Sequence, residues 1–145
     1  MENKFTILVA DRNRHVRDFL RRELMLEGYE VLLAKDGREV LAMIGASSPP
    51  HLLILDLEIP FLDGVEILNR LKNLNPPLPV VVYTLLAEHT DHPVVQTAAA
   101  FIEKPGDIDR LKLEIGKTLK YYYPQRTTMT AENLKRKMDT SHEPE

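Results

Sequence analysis

Short apolar runs alternate along the chain with longer segments in which apolar residues recur at every third or fourth position. The runs consist mainly of Val, Ile, Leu and Phe, and several of them stop abruptly at a polar residue. Near-continuous apolar runs are typical of strands that are buried on both faces of a parallel sheet. The pattern predicts five such strands, at residues 5–10, 29–34, 51–55, 78–83 and 100–103.

The segment at residues 14–27 predicts an amphipathic helix that ends at Gly28. Apolar residues fall on one side of this helix at spacings of three and four, whereas Arg and Glu occupy the remaining surface. We therefore expect the apolar side to pack against the sheet as part of the core. Its members are Val16, Phe19, Leu20 and Leu24, and Met25 is a further candidate at its margin.

Signals for helix ends also mark the other helical segments. Asp36 is the predicted N-cap of a second helix that ends at Gly45, and Asp63 with Gly64 begins a third helix. A weaker helical segment follows Pro93, and the last helix is predicted at residues 108–122.

Strands and helices thus alternate five times along the chain. This alternation predicts an α/β fold with a doubly wound five-stranded parallel sheet between two layers of helices, which is a three-layer sandwich.

The composition changes near the end of the chain. We assign residues 1–123 to one domain, because this length suffices for a single core, and residues 124–145 to a polar C-terminal tail. A short helix is predicted in this tail at residues 131–138. Three consecutive tyrosines at residues 121–123 form either a patch for a partner or a cap on the core.

Charge and cysteine content exclude several function classes. The formal net charge is −3 and the chain has no Cys, so a disulfide framework or a thiol nucleophile is excluded. The balance of charges lacks the basic surplus that direct nucleic-acid binding requires. Because neither a signal peptide nor an apolar run of membrane-spanning length occurs, we expect a cytoplasmic protein with no membrane contact.

Four polar residues follow four different predicted strands. They are Asp11, Asp56, Thr84 and Lys104. The carboxyl ends of parallel strands meet at one edge of the sheet, where doubly wound folds bind their ligands. We therefore expect two carboxylates, a hydroxyl and an ammonium group to share one pocket, with a nucleophile next to charge-stabilising groups.

Four sequence motifs extend this pattern into a family resemblance. They are ILVADRN at the end of the first strand, LLILDLEIPFLDG around Asp56, VVVYT ending at Thr84, and FIEKP around Lys104. In this order and spacing they resemble the receiver domains of response regulators, including the chemotaxis regulators. The resemblance extends over residues 4–122 and implies a flavodoxin-like fold.

The resemblance also implies a chemistry. Asp56 would take a phosphoryl group from a histidine kinase or a phosphotransfer protein in a two-component phosphorelay. Thr84 would donate its hydroxyl to a phosphoryl oxygen, and Lys104 would pair with the phosphoryl group or with the bare carboxylate. Phe101 would be the aromatic switch residue. A cis peptide bond is implied before Pro105. Such a domain signals to a downstream protein target and is not an enzyme beyond self-phosphorylation and self-dephosphorylation.

A metal site is implied by the same resemblance. Asp11, Asp56 and the backbone carbonyl of Glu58 would hold Mg²⁺, which prefers oxygen ligands. The family, however, has a second acid after the first strand, and here that position is Arg12. A guanidinium next to Asp56 would gain about 4 kcal/mol at close range for an effective dielectric near 20, and it would oppose Mg²⁺.

Other departures concern access and loop geometry. Leu85 stands where the family has a small residue, and Thr97 stands where a Gly is common before the fifth strand.

The resemblance and its departures lead to two hypotheses about function. In the first, phosphorylation of Asp56 changes how the face formed by the fourth helical segment, the fifth strand and the last helix binds a partner. In the second, Arg12 replaces the metal, and a phosphorylation-independent pseudo-receiver serves as a docking or homodimerisation module.

Three further function classes fit the sequence less well. A haloacid-dehalogenase-like phosphatase needs a second Asp two residues after its nucleophile, and that position is Glu58. A dinucleotide-binding domain needs glycines after the first strand, and none is present there. His89 and His92 form a weak zinc candidate, with Glu88 and Asp91 as neighbouring acids, but loop histidines more often have no metal.

Overall fold

The computed structural model of the chain describes residues 4–85 and 92–126. Its strands are β1 (Thr6–Ala10), β2 (Glu30–Ala34), β3 (Leu52–Leu55), β4 (Val80–Leu85) and β5 (Ala100–Lys104). Its helices are α1 (Arg14–Leu26), α2 (Gly37–Ile44), α3 (Gly64–Leu71), the 3₁₀ helix η1 (Pro93–Thr97) and α4 (Ile108–Tyr122). Within these residues, none of the helices has the length and apolar character needed to cross a bilayer.

The five strands form one parallel sheet in the order β2-β1-β3-β4-β5. The strand order reverses at β1, so the loops after β1 and β3 diverge and leave a crevice at the carboxyl edge of the sheet. The predicted α/β class, the parallel sheet and its flanking helices are confirmed. Asp11 and Asp56, which follow β1 and β3, therefore begin their loops at this crevice.

The core lies in two layers, one on each face of the sheet. Alternate strand residues face opposite layers, as the two-residue period of a strand requires. One layer packs strand residues against α2, α3 and η1, including Leu8, Leu53, Val82, Ile67 and Val94. The other layer packs against α1 and α4, including Ile7, Ile54, Val81, Leu24 and Ile115.

The buried stripe of α1 is narrower than predicted. Leu20 and Leu24 are fully buried and Val16 packs against them, but Phe19 is 38% exposed and Met25 is 51% exposed. The assignment of Phe19 to the core was therefore wrong, and Met25 does not extend the buried stripe. A helix that lies flat on a sheet buries only the residues closest to the strands, so the flanking residues of an apolar side remain at the rim.

The helix ends agree with the sequence signals. The side chains of Asp36 and Asp63 accept hydrogen bonds from the amides of Glu39 and Glu66, so both cap the helices predicted for them. The segment after Pro93 forms a single short 3₁₀ helix, which confirms a weak fourth helix. The domain boundary at residue 123 and the helix at residues 131–138 stay predictions, because residues 127–145 lie outside the described part.

An aromatic and cationic cluster lies at the amino edge of the sheet, opposite the crevice. The His51 ring contacts Phe5 and Tyr123 edge-on, and its Nδ1 accepts a hydrogen bond from a backbone amide of β1. Arg126 lies 2.8 Å from His51 Nε2, and the Tyr123 hydroxyl donates to the His51 carbonyl. Tyr123 thus covers the edge of the core, whereas Tyr121 is 80% exposed.

The stability of the protein should fall as the pH decreases past the ordinary His pKa of 6.5. Burial, and then the charge of Arg126, lower the pKa of His51, so the unfolded chain takes up this proton before the folded chain does. Each tenfold difference in proton affinity between the folded and the unfolded chain changes the free energy of unfolding by up to about 1.4 kcal/mol. Urea unfolding between about pH 7.5 and pH 5.5 measures the effect.

Two variants test whether His51 causes this pH dependence of stability. His51→Gln should lose it, whereas His15→Gln, which changes an exposed His on α1, should retain the wild-type slope. An equal slope in wild type and His51→Gln would show that His51 is not the group responsible.

Candidate functional site

The four residues predicted to converge do so at the carboxyl edge of the sheet. Asp11 and Asp56 directly follow β1 and β3, Thr84 is the penultimate residue of β4, and Lys104 ends β5. Asp11 and Asp56 are each 2% exposed and Thr84 is 1% exposed. Burial of two carboxylates in one place requires partners, because an unpaired buried charge is strongly destabilising.

Asp56 accepts hydrogen bonds that distinguish its two oxygens. Oδ1 accepts from the Thr84 hydroxyl at 3.2 Å and from the Glu58 amide at 3.1 Å. Oδ2 has longer contacts, to the Arg12 amide at 3.4 Å and to the Lys104 ammonium at 3.9 Å. The carboxylate is therefore fixed through Oδ1, whereas Oδ2 retains more of its lone-pair capacity.

Lys104 is the cation between the two carboxylates. Its Nζ donates to Asp11 Oδ2 at 2.5 Å and lies 3.9 Å from Asp56 Oδ2, with the side chain 12% exposed. Burial raises the pKa of Asp11, while the hydrogen bond from Lys104 opposes that rise. The peptide bond between Lys104 and Pro105 is cis, as the family resemblance implied.

The turn between β1 and α1 fixes the position of Asp11. Its Oδ1 accepts a hydrogen bond from the Asn13 amide at 2.8 Å, and Asn13 in turn caps α1 by accepting from Val16. The Arg17 guanidinium donates to the Asp11 carbonyl at 2.7 Å. Asp11 is thus part of the start of α1, and its carboxylate has little freedom to turn away from Lys104.

Asp56 is positioned by two hydrogen bonds that backbone amides donate, one in the loop between β3 and α3 and one at the start of α3. The Leu57 amide donates to Thr84 Oγ1 at 3.3 Å, and the Gly64 amide donates to the Leu57 carbonyl at 2.9 Å.

The tip of the same loop carries Phe61, which has a φ of 71° and is 70% exposed. The Arg38 guanidinium lies 3.6 Å from its ring centroid. Sequence reasoning did not identify this Phe61–Arg38 contact.

Arg12 forms an ion-pair bridge over the pocket. Its Nη2 lies 2.9 Å from Glu58 Oε1 and its Nε lies 3.7 Å from Asp56 Oδ2. The side chains of Arg12 and Glu58 are 44% and 41% exposed, so solvent screens this pair. Sequence reasoning anticipated Arg12 but not the Glu58 carboxylate. The sequence did contain a signal for this ion pair. Arg12 stands where the family has an acid, and Glu58, two residues after Asp56, supplies an acid that could pair with it.

The described residues do not fit Mg²⁺ in this arrangement. Each oxygen of Asp11 and Asp56 already faces a donor, and two of these donors, Lys104 and Arg12, are cations. No set of three or more His, Cys, Asp or Glu able to hold a metal ion occurs in residues 4–85 and 92–126. The Glu58 carbonyl as a metal ligand stays a prediction.

The remaining predicted residues lie around the pocket. Phe101 is half-buried on β5 and packs against the core layer that contains η1, and Leu85 at the end of β4 is 47% exposed. The Thr97 hydroxyl donates to the Val94 carbonyl at 2.6 Å and closes the 3₁₀ turn. The zinc candidate falls mostly on residues 86–91, which lie outside the described part.

The sequence matches the family model of the response regulator receiver domain over residues 7–116. Among curated relatives, response regulator MprA of Mycobacterium tuberculosis is 37% identical over 121 residues, which cover 82% of this chain and 52% of the relative. MprA of Mycolicibacterium vanbaalenii is 47% identical over 78 residues, which cover 54% of this chain and 33% of the relative. The chain therefore spans about half the length of the curated relatives it matches.

Solved structures of the same class superpose over most of the chain. A CheY-like receiver domain protein from Methanospirillum hungatei is 27% identical with a TM-score of 0.77, covering 84% of this chain and 98% of that one. The response regulator TrrA of Thermotoga maritima, solved in complex with Mg²⁺-BeF, is 28% identical with a TM-score of 0.72. That match covers 78% of this chain and 97% of TrrA.

Proposed function

The chain belongs to the response regulator receiver domain family of two-component signal transduction, and from this premise we propose that Asp56 is its phosphoacceptor. The donor in this proposal is a histidine kinase or a phosphotransfer protein, since response regulators act with histidine kinases and downstream effectors. The single observation that carries the proposal is the contact set of Asp56. Its Oδ1 is held by Thr84, and its Oδ2 remains the less saturated oxygen.

The proposed step is an in-line displacement at phosphorus. Asp56 Oδ2 forms a P–O bond while the P–N bond to the donor imidazole breaks, and the electron pair of that bond returns to the imidazole nitrogen. Phosphoryl transfer depends mainly on positioning and on neutralising the charge of the moving group. Lys104, at 3.9 Å from Oδ2, neutralises part of that charge, and the hydroxyl of Thr84 is available to a phosphoryl oxygen.

The proposed switch begins at Thr84. Its hydroxyl oxygen now lies between Asp56 Oδ1 and the Leu57 amide, so a new acceptor on Asp56 would compete for the hydroxyl proton. Phe101 is on the neighbouring strand, where Val82 is its register partner. Movement of Thr84 would therefore change the packing of Phe101 beneath η1. The face formed by η1, β5 and α4 is the proposed binding surface for a downstream protein or a second copy.

Several finer points belong to the same proposal. Receiver domains are generally phosphoacceptors rather than enzymes, and self-phosphorylation by a small donor is proposed here for this chain. Cytoplasmic location and the lack of direct nucleic-acid binding also remain proposals. The alternative of a phosphorylation-independent module is not favoured, because the relatives that match are response regulators.

Chemical mapping tests the phosphoacceptor directly. The protein is incubated with acetyl phosphate, treated with borohydride to reduce any acyl phosphate, and digested for peptide mass spectrometry. We expect homoserine at position 56 in place of Asp56, because reduction converts an aspartyl phosphate to this alcohol. Asp56→Asn is the control and should give no adduct. Modification at a different residue, or none at all in the wild type, would contradict the proposal.

A further inference from the structure

The charges around Asp56 are nearly balanced by the side chains of the chain itself. Three carboxylates, Asp11, Asp56 and Glu58, face two cations, Lys104 and Arg12, which leaves one net negative charge in the cluster. A pocket of this composition has little electrostatic demand for a divalent cation. Arg12 contributes to this balance and, unlike Lys104, contacts Asp56 from the solvent side, where a phosphodonor must approach.

We propose that the Arg12 guanidinium, positioned by Glu58, supplies the positive charge for phosphoryl transfer to Asp56, so that this transfer does not require a divalent cation. The inference rests on the proposed function, because it assumes that Asp56 is the phosphoacceptor. It assigns a role to two side chains that the phosphoacceptor proposal leaves unused.

The geometry of Arg12 fits contact with the transferred group. Arg12 Nε lies 3.7 Å from Asp56 Oδ2, the proposed attacking oxygen, which leaves the guanidinium close without a direct hydrogen bond. A phosphoryl group on Oδ2 would bring acceptor oxygens nearer to the guanidinium. Arg presents its N–H donors in a planar fork that matches two phosphoryl oxygens at once. The side chain is 44% exposed, so it can follow the group without disturbing the core.

Glu58 is the positioning residue in this arrangement. Its carboxylate holds Arg12 Nη2 at 2.9 Å, and its amide donates to Asp56 Oδ1 at 3.1 Å. Glu58 therefore contacts both the guanidinium and the Asp56 carboxylate, through its side chain and its backbone amide respectively. The guanidinium acts in this proposal as a positive charge and a hydrogen-bond donor. Asp56 attacks as a carboxylate, so the transfer releases no proton and requires no general base, and the leaving imidazole or acetate takes the electron pair of the bond that breaks.

The first experiment compares adduct formation from acetyl phosphate in excess Mg²⁺ and in excess EDTA, measured by intact mass. Wild type should react at rates that agree within about threefold in the two conditions, whereas Arg12→Asp should slow at least about tenfold in EDTA, because it restores an acid that needs a metal. Arg12→Gln should react slowly in both. A wild-type adduct that forms only with Mg²⁺ would overturn the inference, and no adduct in either condition would instead overturn the phosphoacceptor.

A second experiment measures metal binding without phosphorylation. Mn²⁺ titrations followed by electron paramagnetic resonance should give at least about tenfold weaker binding in wild type than in Arg12→Asp, because a guanidinium repels the ion and a carboxylate binds it. Equal Mn²⁺ affinity in the two proteins would show that Arg12 does not take the place of the metal. This readout does not depend on whether Asp56 is phosphorylated.

Glu58 has its own test. Glu58→Gln should lower the rate of adduct formation in EDTA by about threefold to tenfold, because the guanidinium loses its ion pair, and Glu58→Asp should recover part of the rate. Circular dichroism melting controls for a loss of folding in each variant. Unchanged rates in EDTA for Glu58→Gln would remove Glu58 from the proposal and leave Arg12 to be judged by the first two experiments.

Discussion

Replacing Lys104 with Met should lower the free energy of unfolding by about 3 kcal/mol, because removing one partner of a buried ion pair leaves an uncompensated charge. Lys104 is 12% exposed and contacts Asp11 at 2.5 Å and Asp56 at 3.9 Å. Met has a similar length, so the substitution removes the charge with little loss of packing. Urea unfolding at neutral pH measures the effect.

The pH dependence of this deficit identifies its cause. Burial already raises the pKa of Asp11, and loss of Lys104 removes a contact that opposes the rise. An acid whose folded pKa is raised gains stability as the pH falls, so the deficit of Lys104→Met should shrink toward acidic pH. The double variant Lys104→Met with Asp11→Asn should recover part of the lost stability. A double variant whose two losses simply add would mean that the pair is not coupled.

Gly64→Ala should destabilise the protein by about 3 kcal/mol, through a steric conflict rather than through charge. Gly64 is the first residue of α3, and a Cβ there would lie 2.6 Å from the Leu57 Cα and 2.6 Å from its Cδ2. The backbone of Leu57 cannot yield without moving Asp56, the residue before it. Thermal melting should therefore show a lower midpoint, and adduct formation from acetyl phosphate should slow as well.

Gly116→Ala is the matched control, because it makes the same change in another helix. Gly116 lies in α4, where a Cβ would meet nothing within 4 Å. Ala favours a helix interior over Gly by roughly 0.5–1 kcal/mol, so this variant should be slightly more stable than wild type. Similar destabilisation in both variants would indicate that the contact with Leu57 is not the reason for the effect at Gly64.

Most of the fold could be predicted from the sequence because its signals are local. The five apolar runs correspond to the five strands, and the caps at Asp36 and Asp63 depend only on neighbouring residues. The exposure of Phe19 and Met25 could not be predicted in this way. Periodicity shows which side of a helix is apolar, whereas the curvature and tilt of the helix on the sheet decide how much of that side is covered.

The pocket was predicted in outline and not in detail. Its four main residues follow from the rule that the carboxyl ends of parallel strands lie together, and the structure brings all four together. The rule does not say which cation contacts which acid. Lys104 is closer to Asp11 than to Asp56, and the Glu58 side chain binds Arg12, because these contacts depend on rotamers and on loop geometry.

By itself the sequence determined the α/β class, the positions of the strands and the helix caps, and the set of residues at the carboxyl edge of the sheet. Those properties follow from residue periodicity and from local hydrogen bonding. Only the tertiary structure decided which carboxylate oxygen is saturated, which cation pairs with which acid, and that the Glu58 carboxylate holds the Arg12 guanidinium. Such contacts join residues far apart in the chain, over distances of a few ångströms that sequence spacing does not encode.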